Sequence, residues 1–564
     1  MRLAVALAAV APILLGAPPA PAAAPAAAPA TAAAGAGFDD RLVLDAGRDP
    51  PPPPDPAKVS FTMPGSYDIR FRALSDLRLE APLSDPEATT LGQNAYVYHW
   101  LRLSPRFQYR DKVAIVAQID VPRGLVLGDT TRHVEQARDS LSEARWWDVH
   151  PRHFYLELDS VIGLFRLGLQ GSHWGMGLVA NDGDHPTLFG DVQRGSISQR
   201  ILFATSPMGK GTPLTLMIAG DLVFEDNLAD LLGDDVPERS ATPGGEAPPP
   251  GDRAYQGVAA VLWRERRVEL GLYGALRHQE RDRLATGALT PFTEELTAGV
   301  IDFTAKLNAP VPGANAFLYG HVEGAVILGS TTSLRSAPAI DPAAPLEPEA
   351  IRAHGGAATL GAVHVAGRGP GRWGRLVTEV ELGYASGDAD PYDGVSHRFT
   401  FDPNHNVGLV LFDHVLAWKT ARAATIAQDP GLVARPAPGL QLLPSKGGVF
   451  GAAYVNPRVV YRPARDLDLK AGLVIAQTTA DLVDPYHAGA LGEIANYDGG
   501  DERAHDLGAE IDLGIEGRIR VRNGTMFRLG AEGGVLFPGG AFDDASGERL
   551  PIQALLNTKL GILF

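Results

Sequence analysis

From Asp506 to Val521 the chain alternates apolar and polar residues almost without exception. Leu507, Ala509, Ile511, Leu513, Ile515, Ile519 and Val521 share one parity, and Asp506, Glu510, Asp512, Glu516, Arg518 and Arg520 share the other. Successive side chains of a strand point to opposite faces, so this pattern predicts a long β-strand with one greasy and one charged face. Tyr67–Ala73 (YDIRFRA), Arg375–Tyr384 (RLVTEVELGY) and the last stretch, Ile552–Phe564, repeat it. Helical periodicity is scarce; the one helix-like interruption is DPNHNVGLVLFDHVLAWKTARAA, beginning at Asp402.

Segments of this kind, roughly 10–15 residues each, recur about 18 times between residue 67 and the end. A soluble sandwich would turn the apolar faces toward each other, whereas a transmembrane barrel would turn them toward lipid. Length favours the barrel, since a tilted membrane strand needs about 9–11 residues and an ordinary globular strand about 5–6. The connections favour it too. Short ones (SPR, SPMGKGTP, NAPVPGAN, GRGPGR, RPARD, RNGT) alternate with long ones such as the stretch from Gly387 to Lys446. Short turns on one side and long loops on the other are the outer-membrane arrangement. In a closed barrel the last strand pairs with the first, so an apolar strand ending on Phe564 needs no polar cover. LGILF with Phe564 last also resembles the signal read by the barrel assembly machinery.

Composition narrows the picture further. With 564 residues and 45% hydrophobic content, the chain is far from the composition of a disordered protein. Beyond the N-terminus there is no apolar run long enough for a spanning helix. The start, MRLAVALAAVAPILLGAPPAPA, reads as a secretory signal that continues into an Ala/Pro-rich segment, together residues 1–37. A Pro-rich linker then occupies residues 38–65, and the barrel residues 66–564. The absence of cysteine excludes disulfides, thiolate metal sites and lipidation. A net charge of −16 argues against nucleic-acid binding. Aromatic content is 7%, so the interfacial girdles expected of such a barrel draw on Tyr67, Tyr96, Tyr98, Trp100, Trp263, Tyr273, Tyr319, Tyr384, Tyr454 and Tyr461.

Parity then nominates the residues facing the lumen: Arg70, Arg72, Arg166, Gln170, Arg200, Glu379, Glu381, Arg458, Glu510, Asp512, Arg518 and Arg520. The set mixes signs, and neighbouring opposite charges largely cancel in a pore. It can also form salt-bridge ladders that simply fill a barrel. The interruption after Arg398 predicts a loop that narrows the mouth, with Arg398, Asp402, Asn404, His405 and Lys419 as gate residues. His405, Asp413 and His414 lack a third ligand at metal-binding spacing, so no metal or cofactor is assigned. Asp182 and Asp184 offer a weaker Ca²⁺ reading, and Ser172, His173 and Asp182 a weaker hydrolase reading without the strained turn such a nucleophile requires.

LFRLGLQGSHWGMGLVANDGD, GYASGDADPYDGVSHRFTFDPNHN, HDLGAEIDL and AEGGVLFPGGAFDD resemble elements of the alginate-export type of outer-membrane porin and of uncharacterised barrels related to it. The resemblance implies an 18-stranded barrel passing a polymer or solute. It places Arg166 and Gln170 on the lumen side, and Asp402, Asn404 and His405 in a large loop. The mixed lumen charges depart from the positive field expected for an acidic polymer.

The expectation is therefore an all-β, up-and-down antiparallel transmembrane barrel with short periplasmic turns and long extracellular loops. It acts as a porin-like channel for solutes or a polysaccharide, without covalent chemistry. Its partners are outer-membrane lipid, the assembly machinery and the transported molecule. An outer-membrane hydrolase and a non-conducting structural or adhesion barrel are the alternatives.

Overall fold

The computed structural model describes residues 59–79, 87, 89–131, 149–193, 195–225, 253–283, 292–332, 348–365, 374–390, 393–428, 444–484, 487–488, 492–521 and 524–564. The predicted export segment, most of the predicted Pro-rich linker and the acidic stretch 226–252 lie outside the described residues.

The strands are β1 (Val59–Thr62), β2 (Gly65–Leu74), β3 (Ala95–Leu103), β4 (Arg106–Tyr109), β5 (Val113–Gly128), β6 (His150–Asp159) and β7 (Leu164–Gly171). They continue as β8 (Ile197–Thr205), β9 (Leu214–Glu225), β10 (Arg253–Arg264), β11 (Val268–Arg283), β12 (Phe292–Pro310), β13 (Ala316–Thr331) and β14 (Glu349–Val365). The rest are β15 (Arg375–Ala385), β16 (Val395–Ser396), β17 (Ala452–Ala464), β18 (Leu467–Thr478), β19 (Asp506–Arg520), β20 (Met526–Pro538) and β21 (Gln553–Leu563). Between β16 and β17 a wide helical turn, Leu411–Leu416, leads into α1 (Ala417–Gln428).

Eighteen strands form one closed antiparallel ring, and β1, β4 and β16 are short additions to it. Closure is made by β2 and β21, in register from Ser66↔Leu563 to Leu74↔Leu555. The free edge that an apolar final strand would expose does not exist. Phe564 continues this seam: its backbone exchanges hydrogen bonds of 2.8 and 3.0 Å with Gly65, and its ring lies where a side chain at Gly65 would go.

Parity along the strands is as the sequence predicts. On β2, Asp68, Arg70 and Arg72 are buried inside while Phe71 is exposed; on β19, Glu510 and Asp512 are buried while Ile511, Leu513, Ile515 and Ile519 are exposed. Around the ring Ile201, Ile218, Leu272, Ile301, Leu328, Leu360, Leu382, Ile475 and Leu556 continue an outward apolar surface. Trp263, Tyr461, Phe527 and Phe564 project outward at strand ends on the short-turn side. Apolar band and aromatic rim are what a bilayer core and its interface select.

Four local expectations are corrected. SPR is not a hairpin turn: Pro105, lacking an N–H, interrupts the pairing, and β4 continues past the break to a turn at Arg110–Lys112, where Arg110 takes a φ of 53°. Leu507 belongs inside, because Gly508 (φ 100°) sits at a register shift between β18 and β19 and reverses the parity. Residues 447–451 belong to an inserted loop, and β17 begins only at Ala452. Tyr96, Tyr98, Trp100, Tyr273 and Tyr454 are buried on the lumen side and Tyr319 shares that face, its hydroxyl donating to Glu379, so the girdle loses six of its ten nominees. Several of them pack on inward guanidinium groups or hydrogen-bond carboxylates, as with Arg70 over Trp100 at 5.1 Å and Tyr454 Oη donating to Glu381 at 2.7 Å, while Tyr273 packs against Trp174.

Candidate functional site

The interior is a charged wall on which two long loops are seated. The wall charges are paired across neighbouring strands. Arg166 binds Glu157 at 2.9 Å, Arg200 binds Asp221 in a fork of 2.7 and 2.6 Å, and Arg458 spans Glu379 at 2.7 Å and Glu381 at 2.9 Å. Arg518 reaches Glu516 at 2.8 Å and also Asp468, while Arg520, at the rim, binds Asp466 at 2.8 Å. Gln170 donates to the Arg200 carbonyl at 3.0 Å. All the nominated lumen residues therefore face inward, but they do not form a single-sign ring. They form ladders, and a ladder gives a short-range, nearly neutral field.

The first loop follows β7 and runs over residues 172–196. Gly175 (φ 57°) and Gly177 (φ 81°) curl its backbone so that the amides of Met176, Gly177 and Leu178 converge on one carboxylate, that of Glu323 on β13. Gly177 and Leu178 donate at 3.1 and 3.0 Å, and a Cβ at Gly175 would fall 2.2 Å from Glu323 Oε2. Successive amides pointing into one concavity make an anion nest. Farther along, Asp184 accepts from Arg102 at 2.8 Å and Arg152 at 2.5 Å. Asp191 enters a cationic pocket made by Arg70 (2.5 Å), Lys559 (3.0 Å) and Arg72 (3.4 Å), with the Tyr98 hydroxyl donating to it as well. Burial alone would raise the Asp191 carboxyl; Arg70 and its two cationic neighbours instead hold it well below the usual range.

The second loop joins β15 to β17. Here too a wall carboxylate gathers three amides: Glu510 accepts from Leu409, Val410 at 2.8 Å and Leu411 at 2.7 Å, beside Gly408 (φ 75°). The remainder is apolar. Phe399, Phe401, Val407, Leu409, Val410, Leu411, Phe412 and Val415 are fully buried and form the centre of the main hydrophobic cluster. Each such side chain contributes about 1.5–3 kcal/mol on burial, so this loop sits as a packed core within the barrel mouth. The wall yields space for it. A Cβ at Gly534 would meet Val410 and Leu409 at 2.8 and 3.2 Å, and one at Gly472 would meet Phe189 of the first loop at 3.0 Å.

All five gate nominees lie in this second loop. Asp402 N donates to the Leu178 carbonyl at 2.7 Å and Asn404 Oδ1 accepts from Gln193 N at 2.5 Å, which locks the two loops together. His405 bridges Glu381 (3.1 Å) and the Met176 carbonyl (3.2 Å). Burial opposes protonation of His405, but Glu381 outweighs it and raises the imidazole above its ordinary value. Lys419 is ion-paired with Asp498, and Arg398 stacks over Phe450 at 4.1 Å, its guanidinium pushed down to about 10 by burial.

The sequence assigned no role to Asp191 or Arg152, and it read Tyr98 as a girdle aromatic. Parity could find the wall residues; nothing local tells that Asp191, in a turn-like LFGDVQ stretch, crosses to a distant strand. Ser172 Oγ is engaged by Arg200 at 3.2 Å, while the His173 ring lies stacked on His185. Among the described residues His405, Asp413 and His414 do not gather as three ligands; His173, Asp182 and His185 do.

No family model matches the chain, and no curated protein matches it. Solved structures do. OccK8 (OprE) of Pseudomonas aeruginosa is similar at a TM-score of 0.44 and 9% identity, over 89% of this chain and 98% of that one. OprD of the same organism is similar at 0.43 and 8%, over 91% and 98%. An anion-selective porin from Comamonas acidovorans is similar at 0.34 and 10%, over 90% and 100%.

Proposed function

We propose that the protein is an outer-membrane channel for small hydrophilic solutes, in which two inserted loops set the aperture. The observation that carries this reading is the closed ring with an apolar outer face and a charged inner wall, on which the loops are held by two carboxylate–amide nests and by ion pairs. A surface of exposed Ile, Leu and Val over the whole circumference is stable only against lipid. Inside, the polar tethers of the first loop can exchange for water when it withdraws, which the apolar packing of the second could not do cheaply. Transport is diffusive, and the described residues are assigned no covalent step. Small solutes suit this interior better than a polysaccharide chain, because a polymer would require both loops to leave at once. The alginate-export resemblance therefore contributes its barrel and its lumen residues to this proposal, and its cargo is replaced.

Single-channel recording of the purified protein in planar bilayers tests the reading. Discrete conductance steps are expected, with size increased when residues 399–422 are deleted. A folded, membrane-inserted barrel that stays electrically silent both with and without that segment would establish a structural barrel instead.

A further inference from the structure

His173, Asp182 and His185 come together within the first inserted loop, each offering one ligand atom and all three atoms within 4.8 Å of one another. The imidazoles lie face to face, 3.6 Å between centroids, and His185 Nδ1 is 3.0 Å from Asp182 Oδ1. We propose that this cluster binds a first-row divalent transition ion, with Zn²⁺ as its simplest representative, independently of whether the barrel conducts.

The donor set specifies the class of ion. Two imidazoles and one carboxylate suit Zn²⁺, Cu²⁺ or Ni²⁺, whereas Ca²⁺ takes six to eight oxygens. The adjacent carboxylate, Asp184, is committed to Arg102, Arg152 and Gln118, so it does not extend the set toward the oxygens that Ca²⁺ requires. The position of Asp182 is built rather than incidental. A Cβ at Gly171 would fall 2.6 Å from Asp182 Cβ, and one at Gly195 (φ 87°) 2.2 Å from its carbonyl, so two glycines leave the space it fills. Its backbone carbonyl accepts from Arg152, and its Oδ1 is fixed by the Asp184 amide at 3.0 Å. His173 Nδ1 is buried without a hydrogen-bond partner, a cost that a metal or a bound water at this position would remove. The His185 side chain is 43% exposed, which leaves an entry path and an open coordination position. Facing groups of the same sign as the ion are Lys306, near His173, and Arg152, which Asp184 neutralises.

The test uses the full-length barrel, folded in detergent and stripped with a chelator. Calorimetric titration with Zn²⁺ is expected to show a saturable site that Ca²⁺ neither fills nor blocks. Co²⁺ is expected to give visible d–d bands of a low-coordinate nitrogen–oxygen site. His185→Ala, a half-exposed position whose loss leaves the ring intact by heat-modifiable electrophoretic mobility, should abolish both signals, and Asp182→Asn should weaken Zn²⁺ binding at least about tenfold. Absence of Zn²⁺ binding by the wild-type protein, or equal binding by His185→Ala, overturns the assignment. Filling of the site by Ca²⁺ in preference to Zn²⁺ overturns it as well.

Discussion

The two inserted loops reach the same lumen by different physics. Residues 172–196 are held mostly by charge: Glu323 on their amides, Asp184 between two arginines, Asp191 among three cations. Residues 399–422 share one such nest, at Glu510, but are otherwise a packed apolar core. Ionic tethers respond to salt, pH and competing solutes, whereas apolar packing responds to shape. The first loop is thus the adjustable part of the mouth and the second its fixed part.

The largest effect that would break this contrast lies in the apolar loop. Phe399→Ala and Phe401→Ala are each expected to cost about 3–5 kcal/mol of loop packing while the ring itself survives. Limited proteolysis within residues 399–422, together with a several-fold rise in conductance, would register the loss. Resistance equal to wild type would mean that the loop is not held by its core.

Next comes Asp191→Asn. Removing the counter-ion leaves Arg70, Arg72 and Lys559 partly uncompensated, a change of about 3–5 kcal/mol for a buried pair broken on one side. The channel should shift toward anion selectivity by reversal potential, with open events more frequent. An unchanged reversal potential would take this trio out of the conduction path.

A pH dependence of intermediate size follows from His405. Its imidazole is raised by Glu381, so the protonated pair contributes stability that is complete below the ordinary histidine value and is lost as pH rises through the elevated one. Loop–loop docking should therefore loosen on the alkaline side, as increased open probability, and His405→Gln should flatten that step. The smallest effect is expected from Arg166→Glu. The guanidinium is paired with Glu157 at the wall and touches neither Asp191 nor its cations, and its replacement should move the reversal potential less than Asp191→Asn does. The opposite ranking would place the selectivity determinant among wall ladders rather than at the loop.

What could be read from the sequence follows the same division. Strand parity is a local property imposed by the backbone, so the 18 strands, the closing β21 and the inward Arg70, Glu510 and Arg518 were legible without a structure. Parity failed where the backbone departs from period two: at Pro105, which breaks a strand but does not end it, and at Gly508, which slips Leu507 inward. Partners of the loops were not legible. Asp191 is 368 residues from Lys559 in the chain, and the pairing is created only by ring closure. Tyr98 and Tyr454 were read as lipid-interface aromatics because a tyrosine at a strand position suits either face; which face it takes depends on whether a carboxylate or guanidinium waits inside.

The glycines beneath the loops carry an evolutionary implication. Gly534 under Val410, Gly472 under Phe189 and Gly355 under Phe399 are imprints of the loop on the wall. Divergence at one member of such a pair is constrained by the other. Across homologues, bulk appearing at Gly534 should coincide with a trimmed side chain at Val410, giving paired substitutions that trace where each loop rests, even in relatives whose loops are otherwise unrecognisable.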